Sequence, residues 1–177
     1  MKKIFCVVVA LLSLWAVSGA AAEGLQVGYR ATDWSFPDAD GRAYTLQDWA
    51  GKVLLINYND PDEKDMNDHF NDAIKEKVNS GILKEATFKG IGIADCKASW
   101  KPDALIRSFG AAAAKKYDTI ILFDYDASLR DAWGLAEDSA NVILLDKGGV
   151  CRAIVRGRVP DDQVVPLVQM AVDLQDE

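Results

Sequence analysis

Lys52-Val53-Leu54-Leu55-Ile56-Asn57-Tyr58 runs directly into Asn59-Asp60-Pro61-Asp62-Glu63. An apolar run of strand length that does not alternate is the pattern of a strand covered on both faces of its sheet, because each face receives every second side chain. After Glu63 the period changes: Met66, Phe70, Ala73, Ile74 and Val78 recur at helical spacing, and Gly81 is placed to end a helix. A central strand followed by a helix from Pro61 to Val78 is therefore predicted. Asp60 reads as the N-cap, Pro61 suits the first helical position, and Glu63 three residues beyond the cap completes a capping box, a device that contributes about 1 kcal/mol.

The flanking sequence repeats this alternation. Upstream, Val27 to Leu46 forms two short stretches joined at Asp40-Gly41, which predicts an N-terminal β-hairpin. Downstream come a strand at Thr87–Asp95, a helix at Pro102–Tyr117, a strand at Thr119–Asp124 and a helical turn at Leu129–Trp133. Asn141–Asp146 and Val150–Arg156 read as a strand pair joined by the Lys147-Gly148-Gly149 turn. Val164, Leu167, Val168, Ala171 and Leu174 then mark one face of a last helix, in which Pro166 predicts a kink or a late start. The class is α/β: a central sheet flanked by helices. The run from Ala111 to Ala114 reads as small side chains letting a helix approach that sheet.

The chain has 177 residues, of which 50% are apolar, enough for one well-filled core and too few for two. Lys and Arg number 20 against 27 Asp and Glu, a net charge of -7, which argues against a nucleic acid or an anionic membrane surface as partner. The first 22 residues differ from the rest. Lys2 and Lys3 precede an apolar run from Ile4 to Val17, and Ala20-Ala21-Ala22 stands before Glu23. That is the form of a secretory signal peptide cleaved near Ala22, too short in its apolar part to span a membrane comfortably. Residues 23–177 are then expected to form a single exported, periplasmic domain with no membrane insertion after signal removal.

The element order resembles the thioredoxin fold in the extended form used by TlpA-like and peroxiredoxin-like proteins, over most of residues 27 to 175. More narrowly, Asp131-Ala132-Trp133-Gly134-Leu135-Ala136-Glu137-Asp138-Ser139-Ala140-Asn141-Val142-Ile143-Leu144-Leu145-Asp146-Lys147 is similar to the signature stretch of the YtfJ family of exported, thioredoxin-like bacterial proteins. The resemblance implies a thioredoxin-like fold and passes on no reaction.

It also implies where thiol chemistry would sit. In a thioredoxin-like oxidoreductase the dithiol follows the central strand at a helix N-terminus, where free N–H groups and the helix dipole lower a thiol pKa. That register brings Glu63-Lys64-Asp65-Met66 to the Cys-x-x-Cys position, and no cysteine occurs between residues 7 and 95. Asn59 to Glu63 holds neither the Thr nor the Cys of a peroxiredoxin turn. The position of the family's cis-proline falls near Ala140, and no proline occurs between Pro102 and Pro160. A thiolate is the nucleophile of thiol–disulfide exchange, so dithiol catalysis of the usual kind is excluded.

Cys96 and Cys151 remain after the signal. In the implied topology they lie at opposite edges, about 16 Å apart along a five-residue strand, whereas a disulfide needs Cα atoms within roughly 7 Å. Two free thiols are expected. Cys96 ends the second strand, at the edge where the dithiol would stand, and Lys97 and Lys101 are placed to lower its pKa if they approach. His69, the only histidine, reads as a half-exposed helix residue. Trp34, Trp49, Trp100 and Trp133 read as core or rim packing, and Arg152, Arg156 and Arg158 as charges protecting an edge strand.

Three functions follow as expectations. The first is a redox-inactive protein that binds another exported protein and carries no cofactor. The second is a single-cysteine thiol oxidoreductase or peroxiredoxin-like protein using Cys96. The third is a cation-binding module built from Asp60, Asp62, Glu63 and Asp65, although no EF-hand spacing is present.

Overall fold

The computed structural model describes residues 24–177. The signal-peptide reading of residues 1–22 lies outside them. The run that opens the reading becomes β3 (Val53–Asn59), the middle of a five-stranded sheet. On one side β3 pairs in parallel with β4 (Phe88–Asp95), which pairs in parallel with β5 (Ile120–Asp124). On the other side it pairs antiparallel with β6 (Ala140–Leu145), and β6 pairs antiparallel with β7 (Cys151–Arg156). The spatial order is β5-β4-β3-β6-β7. The hairpin of β1 (Ser35–Pro37) and β2 (Ala43–Thr45) forms a sheet of its own, turned at Gly41 with φ +83°, where Asp38 Oδ1 accepts from the Asp40 and Arg42 N–H groups.

The double burial expected of β3 is present. Leu54, Ile56 and Tyr58 face one layer, in which Trp34, Phe36 and Trp49 from the N-terminal region and Trp133 close over the sheet. Val53 and Leu55 face the other, covered by α1 (Asp68–Asn79) and α4 (Asp161–Asp176) through Phe70, Ile74, Val168, Ala171 and Leu174. The long α2 (Asp103–Tyr117) packs over β5 on that same face, and the short α3 (Ser128–Trp133) lies on the opposite one.

Several expectations are corrected. Helix α1 begins at Asp68 and not at Pro61; residues 61–67 are turns. The close approach of α2 to the sheet occurs at Gly110, where a Cβ would stand 2.6 Å from Phe123 Cζ, while Ala111 and Ala112 are exposed. Helix α4 starts early, with Pro166 as its sixth residue on an exposed side, where water can take the Asp162 carbonyl that Pro166 has no N–H to bond. Trp34, Trp49 and Trp133 are core, but Trp100 is 85% exposed. Its β4–α2 loop carries it past the sheet edge, away from any buried layer.

Candidate functional site

The carboxyl ends of β3 and β4 and the start of β6 meet at one edge of the sheet, and the sequence-predicted residues gather there. Asp60 leaves β3 with its N–H donating to the Ser139 carbonyl at 2.9 Å. Its side-chain Oδ1 accepts the Asp62 N–H at 2.8 Å, so it caps a local turn instead of a helix. Turns closed from Glu63 N–H to the Asp60 carbonyl and from Met66 N–H to the Glu63 carbonyl carry the chain on. The helix is delayed because Asn67, which precedes it, is buried and committed elsewhere. Asn67 Oδ1 accepts the Val159 N–H at 2.8 Å and Nδ2 donates to the Gly157 carbonyl, satisfying the buried link between β7 and α4.

Glu63, Lys64, Asp65 and Met66 therefore lie in a turn ahead of α1, with Lys64 paired to Asp65 and Met66 Sδ 3.9 Å from Ser139 Oγ. Ala140 is fully buried and registers opposite Asn59; its carbonyl accepts the Gly157 N–H at 2.7 Å. The described peptide bonds are all trans.

The four acids of the predicted cation module do not converge. Asp62 accepts from Ser99 Oγ at 2.8 Å and pairs with Lys101, and Asp65 pairs with Lys64. Burial pushes the Asp60 carboxyl above its ordinary value, nearby Asp138 adds to this, and Lys101 opposes it. Among the described residues no three His, Cys, Asp or Glu side chains come together in a way that could hold a metal ion.

Cys96 sits at this edge with 4% exposure, packed with Ile106 and Phe123 beneath α2. Burial pushes its thiol up to about 12, with Asp103, Asp95 and Asp124 acting in the same direction. The lysines expected to activate it do not: Lys101 is turned to Asp62, and the charges that act on the thiol are acids. Cys151 is buried at the other end of the sheet, where it registers with Leu145, which in turn faces Leu54 at the start of β3. Its thiol is raised to about 11 by burial. Both cysteines are free.

His69 is half-buried, its Nε2 2.8 Å from the Val159 carbonyl and 3.6 Å from Asp161. The expected arginine stripe is consumed locally. Arg152 pairs with Asp146 and Glu177, Arg156 donates to the Gly134 and Leu25 carbonyls, and Arg158 pairs with Asp161.

One constellation escaped the sequence reading. Asp95 and Asp124, the last residues of β4 and β5, stand side by side in register and are 2% and 1% exposed. The Tyr58 hydroxyl donates to Asp124 Oδ2 at 3.0 Å, and Asp124 also accepts the Ser128 and Leu129 N–H groups at 3.0 and 2.9 Å. Arg130 bridges Asp95 at 2.8 Å and Glu137 at 3.2 Å. Burial raises the Asp95 carboxyl while Arg130 pulls it back, and burial beside Asp124 and Asp95 holds the Tyr58 phenol well above its usual range. The network fastens α3, a six-residue helix too short to persist alone, onto the sheet. Its signal in the sequence is an Asp that ends each of two apolar runs, Ile93-Ala94-Asp95 and Leu122-Phe123-Asp124.

The pattern of the family described as "Bacterial protein of unknown function (YtfJ_HI0045)" matches residues 27–174. No curated protein matches the chain. Among solved structures, it is similar to a Bacteroides thetaiotaomicron protein assigned as a protein disulfide isomerase, at 22% identity and a TM-score of 0.64, covering 86% of this chain and 92% of that one. The thioredoxin domain of a thiol-disulfide oxidoreductase from Bacteroides vulgatus is 17% identical, with a TM-score of 0.60 over 84% and 99% of the two chains. Peroxidoxin BcpB from Mycobacterium tuberculosis is 12% identical, with a TM-score of 0.61 over 84% and 97%. At these identities the likeness is one of fold, and the fold is thioredoxin-like.

Proposed function

The chain belongs to the YtfJ_HI0045 family of bacterial proteins, and from that footing we propose that it is an exported thioredoxin-fold protein, inactive in thiol chemistry, that works by binding another exported protein. The observation that carries this reading is the state of Cys96. Among the described residues it is the one thiol at the edge where this fold performs redox chemistry, and it is buried with its pKa pushed up to about 12. Thiolate is then scarce at any physiological pH, and the nucleophile needed for exchange or peroxide reduction is missing.

Two further features support binding over catalysis. The Asp60 N–H and the Ser139 carbonyl satisfy each other at the edge. Beside them Trp100 stands 85% exposed, with Lys101 Nζ 5.2 Å from its ring centre. An exposed Trp is the residue type most enriched at the energetic centres of protein interfaces. Export is part of the proposal and rests on the Lys2-Lys3, Ile4–Val17 and Ala20–Ala22 pattern.

The test is thiol alkylation read by mass spectrometry, with and without denaturant, alongside insulin reduction by the wild type and Cys96→Ser. Protection of both thiols until unfolding, with no reductase activity above the Cys96→Ser control, is expected. Rapid alkylation of Cys96 in the folded protein, or its recovery as a mixed disulfide, would establish the single-cysteine oxidoreductase instead. A rise in melting temperature with added calcium would do the same for the cation module.

A further inference from the structure

We propose that the cleft at the opposite end of the sheet, rimmed by Arg30, Lys52 and Lys147, binds a small organic anion through its carboxylate or phosphate head. The cleft lies at the start of β3 and the end of β6 and has a volume of about 180 Å³. Its three cations come from three separate segments: the N-terminal stretch, the turn before β3 and the β6–β7 turn.

None of the three forms an ion pair among the described residues. Their hydrogen bonds go to neutral groups, from Lys52 Nζ to the Glu85 carbonyl at 2.6 Å and from Arg30 to the Gly148 carbonyl. Among the described residues the only acid lining the cleft, Asp146, is directed elsewhere. Its Oδ1 accepts the Gly148 and Val150 N–H groups, each at 2.9 Å, and its Oδ2 faces Arg152 at 3.3 Å. In a chain with 27 acids and 20 cations, three cations around one cleft without a carboxylate partner run against the composition.

Half-buried Leu46 gives the cleft an apolar wall, while Trp49, Leu54 and Leu145 behind it are 7%, 2% and 0% exposed and belong to the core. A cationic rim beside the Leu46 wall fits an anionic head on a small apolar body. The volume lies below the roughly 300–1,000 Å³ of sites for drug-sized ligands, which limits the body to one ring or a short chain.

The cleft lies at the other end of the sheet from Cys96 and Trp100, so this inference stands or falls independently of the proposed function. The test is an amide-resolved NMR titration of the purified protein with benzoate, with phenyl phosphate and with neutral benzamide. Saturable shifts at Ala50, Gly148 and Gly149 are expected with one or both anions and not with benzamide, weakening as salt is raised. Which anion binds more tightly identifies the head group. Lys147→Gln leaves the backbone bonds of the turn in place and should weaken binding by about threefold or more, the effect of losing one half-exposed charge contact. Arg30→Gln provides a second, independent variant. Shifts scattered over the surface, an equal response to benzamide, or unchanged affinity in both variants would overturn the assignment.

Discussion

Replacing Asp124 tests whether the buried network fastens α3 to the sheet. Asp124 accepts from the Tyr58 hydroxyl, the Ser128 N–H and hydroxyl, and the Leu129 N–H, at 2.9 to 3.1 Å. In Asp124→Ala the Ser128 donors, on an exposed residue, turn to water. The Tyr58 hydroxyl and Leu129 N–H cannot, because those residues are 1% and 3% exposed. Each buried donor left unpaired costs about 1–3 kcal/mol. Against this, losing one of two adjacent buried carboxylates relieves Asp95, whose proton affinity Asp124 raises. A net loss of about 3 kcal/mol is expected, which lowers the melting temperature by roughly 10 °C in a domain of this size. Asp124→Asn keeps the shape but turns an NH2 toward a donor, and should cost about 1–2 kcal/mol. Tyr58→Phe should cost about 1 kcal/mol in the wild type but recover about 1 kcal/mol in Asp124→Ala, where it removes the unpaired donor, a coupling of about 2 kcal/mol. Urea unfolding followed by tryptophan fluorescence measures the wild type and the four variants, with an unchanged m-value as the condition for comparing them. A loss below about 1 kcal/mol for Asp124→Ala, or an equal cost of Tyr58→Phe in both backgrounds, would refute the fastening role.

Other positions make separate demands. Gly110→Ala would normally favour a helix by about 1 kcal/mol, but here the new methyl meets the buried Phe123 ring at 2.6 Å, so a net loss of about 1–2 kcal/mol is expected in thermal unfolding. Asn67→Ala removes the bonds to the Gly157 carbonyl and Val159 N–H and should destabilise by about 2 kcal/mol, with faster hydrogen exchange at Val159 as its local signature. Burial raises the carboxyls of Asp60 and Asp95. Such groups take up a proton in the folded chain at a higher pH than in the unfolded one, so their burial penalty is present at neutral pH and fades as pH falls toward the ordinary carboxylate value. The melting temperature should therefore hold or rise from pH 7 to pH 5, less so in Asp60→Asn; a steady fall followed identically by both proteins contradicts this.

What could be read from the sequence depended on how local the deciding contact is. The run at Val53–Tyr58 announced a doubly covered strand because its own side chains carry that information, and the strand and helix alternation around it followed. Asp60-Pro61-Asp62-Glu63 has every local mark of a helix start, yet the helix begins at Asp68. The contacts that decide this come from Ser139, Gly157 and Val159, far along the chain. Trp100 misled for a related reason: aromatic character announces packing, but whether a layer exists to receive the ring depends on where the β4–α2 loop ends up. Tyr58 read as one more apolar residue of β3, and only the neighbouring strand ends at Asp95 and Asp124 give its hydroxyl a role.

The hydrogen bonding of the candidate edge also constrains how a partner would engage it. An edge that receives an extended chain by strand addition must offer unpaired backbone groups. Here the Asp60 N–H and Ser139 carbonyl bond each other, the Ala140 carbonyl takes the Gly157 N–H, and the Asn141 side chain takes up the Tyr58 and Ala136 carbonyls. Recognition under the proposed function therefore falls to side chains, with Trp100 as the exposed anchor and the Asp62–Lys101 pair at its rim. Anchors of that kind lose most of their contribution on truncation, whereas rim charges mainly alter salt dependence and the rate of association. Capture of a partner should accordingly be abolished by Trp100→Ala and only made more salt-sensitive by Asp62→Asn. The opposite ranking, in a pull-down from periplasmic extract at two salt concentrations, would place the binding surface elsewhere.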